Sequence, residues 1–452
     1  MARARDKVAG PESVPPPGKI GTVPTDGSGH QPAAAGRRRG VFRALGLGLI
    51  TGAADDDCSA IGTYAAAGAQ AGPAFLWTAP VTFPMMFAVV YLSAKLGQVS
   101  GRGLFHAIRD YLPRWVLYPT LVGVLIGNTI EAGADIGGMA ASVDVFLPVP
   151  FQVVVIGTAL VILTLQFVGS YTLIRNAFRW LALALLAYVG AAVLARPELG
   201  PVLAGTFIPT IHFSADFLAL LVAIIGTSLS AYLYTWQSNE EVEEEISHGR
   251  TQLSQRIGAS DEELKHSRRD VLFGMFFSNV IMYFIILATG STLFRAGQND
   301  INTAADAAQA LRPLAGDAAG VLFALGVVGV GFLAVPVMTT GAAYDLAQTL
   351  GWKYGLHAQP REAKKFYAAI ALFTLIGVGM NFIGLNPMHF LVWSGVIQGF
   401  STPPLMLLIM LMTNNRRIMG ERVNGRAINV LGWVTTGAIF AATLGLVVSW
   451  LM

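Results

Sequence analysis

Charge is scarce in this sequence. Asp, Glu, Lys and Arg make up 13% of its 452 residues, where a soluble domain carries about 25%. That deficit excludes a soluble enzyme, a coiled coil and a disordered chain. A single cysteine, Cys58, excludes an intramolecular disulfide. The seven histidines lie near loops or segment ends. No Ser/His or metal–His pairing falls inside an apolar segment, so an enzyme is not expected and no cofactor is implied. A net charge of +3 is too small to call for nucleic acid. Residues 1–40 lack an apolar h-region, so no cleavable signal peptide is expected. Rich in Pro, Gly and Ala, they read as a flexible cytoplasmic tail.

What remains is apolar: 54% of the residues are hydrophobic, and the mean hydropathy is +0.57. A helix needs about 20 apolar residues to cross the hydrocarbon core. The uncharged windows predict an all-α polytopic membrane protein with about eleven spans, over 42–68, 73–96, 115–141, 149–169, 176–195, 214–239, 269–295, 318–348, 366–385, 389–413 and 429–451. The lipid bilayer is its first partner; no oligomeric state follows from the residues. With the N-terminus placed inside, 27 of the 30 Lys and Arg fall on the cytoplasmic side, the bias expected of inner loops. Only Arg196, Arg295 and Arg312 fall opposite. The odd span count puts the C-terminus outside. A cell (inner or plasma) membrane is the expected location.

Two spans are interrupted. In the first, Asp55, Asp56 and Asp57 arrive about a dozen residues in, near mid-depth, followed by Cys58 and Ser59. Each ionised carboxylate there costs at least ~2.5 kcal/mol unless solvated or paired. Consecutive residues face one ligand only if the helix unwinds, and Gly52, Gly62, Ser59 and Thr63 suit a break. The sixth span carries the run Gly226-Thr-Ser-Leu-Ser-Ala-Tyr232. The two breaks lie about 170 residues apart, span one against span six, the arrangement of two five-helix inverted repeats with a substrate site where the broken helices meet. The first repeat is expected over about 42–195 and the second over about 214–413, with an extra helix at about 429–451. Carboxylates, hydroxyls and unwound carbonyls are hard oxygen ligands suited to Mg²⁺, Ca²⁺ or Mn²⁺. Glu131 and Asp135, four apart and deep in the third span, share a helix face. They are expected to line an ion pathway. Gln398 in span ten offers an amide to the site. Five glutamates between Glu240 and Glu245 read as a solvated helix face.

The segment Leu49-Ile-Thr-Gly-Ala-Ala-Asp-Asp-Asp-Cys-Ser-Ala-Ile-Gly-Thr-Tyr64 resembles the first helix of the NRAMP family of divalent-metal transporters. It is most similar to the bacterial NRAMP-related branch that includes magnesium transporters. The resemblance runs from residue 42 to about 445 and includes Trp236 to Glu245, Leu311 to Ala315, Leu333 to Val337 and Pro403-Pro404. It implies a LeuT-like fold. It also implies where this chain departs from its relatives. Asp57-Cys-Ser-Ala60 stands where metal-binding members have Asp-Pro-Gly-Asn, keeping the carboxylate and losing the amide. Ser230-Ala-Tyr232 stands for Met-Pro-His, losing the thioether that favours transition metals. Gln237 stands where a histidine is common, Asp135 matches the helix-three aspartate, and Gly138 replaces a glutamate.

The expected function is therefore divalent-cation transport, Mg²⁺ first and Mn²⁺ second, with weak or absent proton coupling. The expected metal residues are Asp57, Asp56, Asp55, Ser230, Ser59 and Tyr232; the expected pathway residues are Glu131, Asp135, Gln237 and Gln398. A proton-coupled Mn²⁺/Fe²⁺ transporter, or a carrier of a small organic solute on the same fold, are the alternatives.

Overall fold

A computed structural model describes residues 47–168 and 185–451. The expected tail, 1–40, lies outside the described residues, as does the first half of the span expected over 176–195. Among the described residues the regular structure is entirely helical. This is the solution a bilayer imposes, since lipid offers no partner for an open backbone group.

In chain order the principal helices are α1 (Leu47–Asp55), α2 (Cys58–Ala71), α3 (Thr78–Ser100), α4 (Leu104–Tyr111), α5 (Arg114–Asp144), α6 (Phe151–Val168), α7 (Leu186–Leu194) and α8 (Leu199–Phe207). They continue with α9 (Ala215–Ser228), α10 (Ala231–Ser247), α11 (Asp261–Thr292), α12 (Ala319–Leu350), α13 (Lys364–Met380), α14 (Pro387–Thr413) and α15 (Arg426–Leu451). Eight helical stretches among the described residues are long and apolar enough to cross a membrane. The expected first span is cut into α1 and α2, each too short alone. The ninth is the 17-residue α13. Large apolar side chains such as Leu160, Val168, Leu203, Leu372 and Val434 are exposed. In water such a surface would aggregate; in a bilayer it faces lipid.

Helix contacts are made through small residues, because lipid tails give little hydrophobic drive for association. At Gly226, where α9 crosses α14, a Cβ would stand 2.0 Å from the Gly395 carbonyl oxygen, so only glycine allows that crossing. α5 packs along α12 and α14, α1 lies on α11, and α10 lies on α3. These contacts bring α5, α9/α10, α11 and α14 around the α1/α2 interruption.

The acidic run is a correction. Glu240, Glu241, Glu243 and Glu245 are buried, and only Glu244 of the run is exposed. The helix continues to Ser247 under a cover of polar neighbours. Glu241 accepts from Gln98 of α3 at 2.7 Å, Gln237 at 2.9 Å and Ser267 of α11 at 2.8 Å. Glu243 accepts from the Tyr344 hydroxyl of α12 at 2.6 Å, from the Leu356 amide at 3.3 Å, and from the half-exposed His357 ring. A solvated face is therefore replaced by buried carboxyls, of which Glu241 and Glu243 are held by polar neighbours.

The hydrogen bond from Glu243 raises the His357 pKa above its ordinary 6.5. Its contribution is fully present below the unfolded value and is lost as pH rises through the higher folded value. Thermal melts in detergent, at a pH near 6 and at one two units higher, check this. Wild type is expected to lose stability over that rise, and His357→Ala to lose less. Equal losses in both proteins would remove the contact from the stability account.

Candidate cation site

The chain unwinds at two places that face each other. α1 ends at Asp55, and α2 begins at Cys58 with Asp57 as its N-cap in an extended conformation (ψ −177°). Asp57 accepts the Ala60 amide at 2.7 Å, the standard way for a carboxylate to satisfy an open helix N-terminus. Opposite, α9 ends at Ser228 and α10 starts at Ala231, with Ser230 extended between them (ψ 137°). Tyr232, at the start of α10, closes the gap. Its hydroxyl reaches the Ala54 carbonyl at 2.7 Å and Asp57 Oδ2 at 3.1 Å.

The helix-three pair joins the same group. Asp135 Oδ1 accepts the Ser59 amide at 3.0 Å. The Ser59 hydroxyl stands 2.8 Å from Asp57 Oδ1 and 3.1 Å from Glu131 Oε1. The Ser230 hydroxyl is 3.2 Å from Glu131 Oε1, and the Gln398 amide donates to Glu131 Oε2 at 2.6 Å. Asp55, Asp56, Asp57, Ser59, Glu131, Asp135, Ser230, Tyr232, Gln237 and Gln398 are all 0% exposed. Of the residues singled out from the sequence, seven thus form one network: Asp57, Ser59, Glu131, Asp135, Ser230, Tyr232 and Gln398.

Three others lie beside it. Gln237 accepts from Thr51 of α1 at 2.6 Å and donates to Glu241 at 2.9 Å, tying α1 to α10. Asp55 and Asp56 turn to α11, where the Ser278 hydroxyl lies 2.5 Å from Asp55 Oδ2 and 3.1 Å from Asp56 Oδ1. The three aspartates therefore do not converge on a single point.

Ser278 was not singled out from the sequence. Its signal is a Ser-Asn pair set in the apolar run 271–288. Two further polar neighbours also emerge only from packing. Thr227 Oγ1 is 3.1 Å from Ser59 Oγ, and Asn128 accepts from Gln398 at 3.2 Å. The Cys58 thiol faces away, donating to the Val327 carbonyl of α12 at 3.4 Å. At Gly138 a Cβ would meet Leu391 at 3.1 Å and Cys58 at 3.2 Å. A glutamate at that position would have to displace both.

Among the described residues no ion pair reaches any of the three aspartates. Nor do three His, Cys, Asp or Glu side chains converge as a ready metal cage. The carboxylates are instead held by amides and hydroxyls. A cation in this group would draw on hydroxyl and carbonyl oxygens as well as on carboxylates. Every such atom is hard, the donor chemistry of Mg²⁺ and Mn²⁺ rather than of thiolate-seeking metals. Towards the C-terminal end of α2 a 480 Å³ cavity opens between α2, α9 and α14, lined in part by Gln70, Asp216, Asp300 and His389.

Known proteins share this architecture. The chain is 26% identical over 412 residues to the divalent metal cation transporter MntH of Deinococcus radiodurans, covering 89% of each chain. Its fold matches a manganese transporter of Eremococcus coleocola with a TM-score of 0.65, at 17% identity, over 90% of this chain and 86% of that one. It also matches Mhp1, a nucleobase-cation-symport-1 family transporter, with a TM-score of 0.56, at 13% identity, over 90% and 91%. The family model described as natural resistance-associated macrophage protein-like matches residues 48–449. With that match spanning both broken helices and the whole bundle, the chain belongs to the Nramp family of multi-pass membrane transporters.

Proposed function

We propose that this protein carries divalent cations across the plasma membrane by alternating access, with Mg²⁺ preferred over Mn²⁺ and no obligatory proton coupling. One observation carries the reading: the groups around Asp57, Glu131 and Asp135 are hydroxyls, carboxylates, carbonyls and amides, with no thioether or imidazole among them. Mg²⁺ takes oxygen ligands and gives up its water reluctantly. A site of small hydroxyl residues at Ser59 and Ser230 suits a partly hydrated ion. Asp57 is the principal ligand, with Ser59, Ser230 and Tyr232 around it. Asp56 and Asp55 add charge nearby. Glu131, Asp135 and Gln398 line the path on the α5 and α14 side, and Gln237 occupies a position where no imidazole relay is present. The full chain makes eleven spans as two inverted five-helix repeats plus α15, with the N-terminus in the cytoplasm and the C-terminus outside.

A second reading, proton-coupled Mn²⁺ transport, is favoured by the names of the relatives and by two carboxyls on α5 positioned to pass a proton. Flux into proteoliposomes, with Mg²⁺ and Mn²⁺ compared and internal pH recorded together, separates the two. Mg²⁺ uptake without acidification is the expected result. Mn²⁺ uptake with acidification and no Mg²⁺ flux would replace the first reading by the second.

A further inference from the structure

We infer that the cleft between α8, the end of α11 and the turn Gly72–Phe75 holds a zwitterionic phospholipid whose headgroup ends in a primary ammonium. The inference does not depend on which ion the protein carries. The cleft offers 240 Å³, less than the roughly 300 Å³ at which drug-sized pockets begin. Its apolar lining includes Pro73, Val202, Ile286 and Leu287, the last two buried. Close backbone approaches hold its sides together. A Cβ on Gly205 of α8 would stand 2.2 Å from the Pro73 carbonyl oxygen, and one on Gly290 of α11 would stand 3.1 Å from the Gly72 carbonyl carbon.

The cleft sits where a lipid headgroup belongs. Arg295 falls in the last turn of Asp261–Ala296, a stretch long and apolar enough to cross a membrane. The hydrocarbon core gives way to headgroups at such an end. Beside the cleft, Leu199, Leu203 and Phe207 of α8 are all exposed. Their spacing of four puts them on one helix face. That face is a surface for acyl chains leading away from the cleft.

Charge selects the headgroup. Arg295 and Glu198 both line the cleft, and Arg295 Nη2 stands 3.9 Å from Glu198 Oε1, beyond hydrogen-bond length. Among the described residues no other ion pair holds either group. Arg196, just before Pro197 and Glu198, takes a left-handed φ of 47°, uncommon for any residue but glycine. One cation and one anion side by side on an apolar cleft match the two charges of a zwitterion. The guanidinium suits the phosphate, and the carboxylate accepts an N–H from the ammonium. Ser291 adds a hydroxyl to the lining. A choline headgroup has no N–H to donate, and a purely anionic headgroup is repelled by Glu198.

The test is native mass spectrometry of the purified, delipidated full-length protein. It is titrated in detergent with phosphatidylethanolamine, phosphatidylcholine or phosphatidylglycerol of the same acyl chains, and bound lipids are counted. Wild type is expected to bind its first phosphatidylethanolamine up to about fivefold more tightly than phosphatidylcholine, the scale of one exposed ion pair. Glu198→Gln is expected to erase that preference by weakening phosphatidylethanolamine alone. Arg295→Gln is expected to weaken both lipids alike. Both side chains are more than half exposed, so neither change threatens folding. Equal binding of the two lipids by wild type, or a preference kept in Glu198→Gln, would overturn the inference. A preference for phosphatidylglycerol that Arg295→Gln abolishes would also overturn it, leaving an anionic lipid on Arg295 alone.

Discussion

Asp57→Asn is expected to lower divalent-cation uptake at least about a hundredfold while leaving the protein folded. Asp57 does two jobs that this substitution separates. Its Oδ1 caps α2 through the Ala60 amide, and asparagine is about as good an N-cap as aspartate. Its charge, buried at 0% exposure among oxygens, is what the proposed cation site would draw on, and asparagine removes it. Losing ~3 kcal/mol of cation binding already costs two decades. Asp57→Ala is expected to lose transport equally and also to lower stability by ~1 kcal/mol through the lost cap. Asp55→Ala and Asp56→Ala are expected to give smaller, graded losses. Initial rates in proteoliposomes, paired with melting temperatures, check the set. Full uptake by folded Asp57→Asn would remove Asp57 from the site.

Gly52→Val is expected to reduce uptake at least about tenfold by wedging α1 away from α11. A Cβ on Gly52 would sit 2.2 Å from the Gly274 carbonyl oxygen and 2.5 Å from its carbon. Both are backbone atoms of a long helix and cannot turn aside. Overpacking of this kind typically costs about 1–3 kcal/mol, here set against the Thr51–Gln237 hydrogen bond on the neighbouring face of α1. The displaced helix would open a path from the N-terminal end of α1 to the break. Cys58 reports on that directly: it is the only cysteine in the chain and is buried. Faster labelling of Cys58 by a membrane-impermeant thiol reagent, added on the side where the N-terminal end of α1 lies, is the expected companion result. Unchanged uptake and labelling would show that α1 and α11 separate without cost.

Both breaks were legible because they rest on local chemistry. Three aspartates inside an apolar run, and hydroxyl and glycine residues inside another, are costly as continuous buried helix. Their separation along the chain then suggested how they meet. The Glu131/Asp135 pair was legible through helix periodicity. What was not legible depends on partners distant in sequence. Five glutamates in six positions read as solvated because little nearby in sequence satisfies them. Glu241 and Glu243 draw partners from Gln98, Ser267, Tyr344 and His357, on other elements. The division of the aspartate trio escaped for the same reason, since it is set by Ser278, more than two hundred residues away. Alternation of the chain through a break says that three side chains diverge; only the packing of α11 says where two of them go.

The capping of α2 bears on the half of the cycle in which nothing is carried. A carrier that delivers a cation must return empty, and bare carboxylates in a low-dielectric interior would make that return slow. Here the Ala60 and Ser59 amides hold Asp57 and Asp135, while hydroxyls from Ser59, Ser230 and Tyr232 reach Asp57 and Glu131. These donors offset part of the missing positive charge, and they travel with the protein. On the proposed uncoupled reading, these counter-dipoles around Asp57 and Glu131 are what would ease the return of the empty molecule.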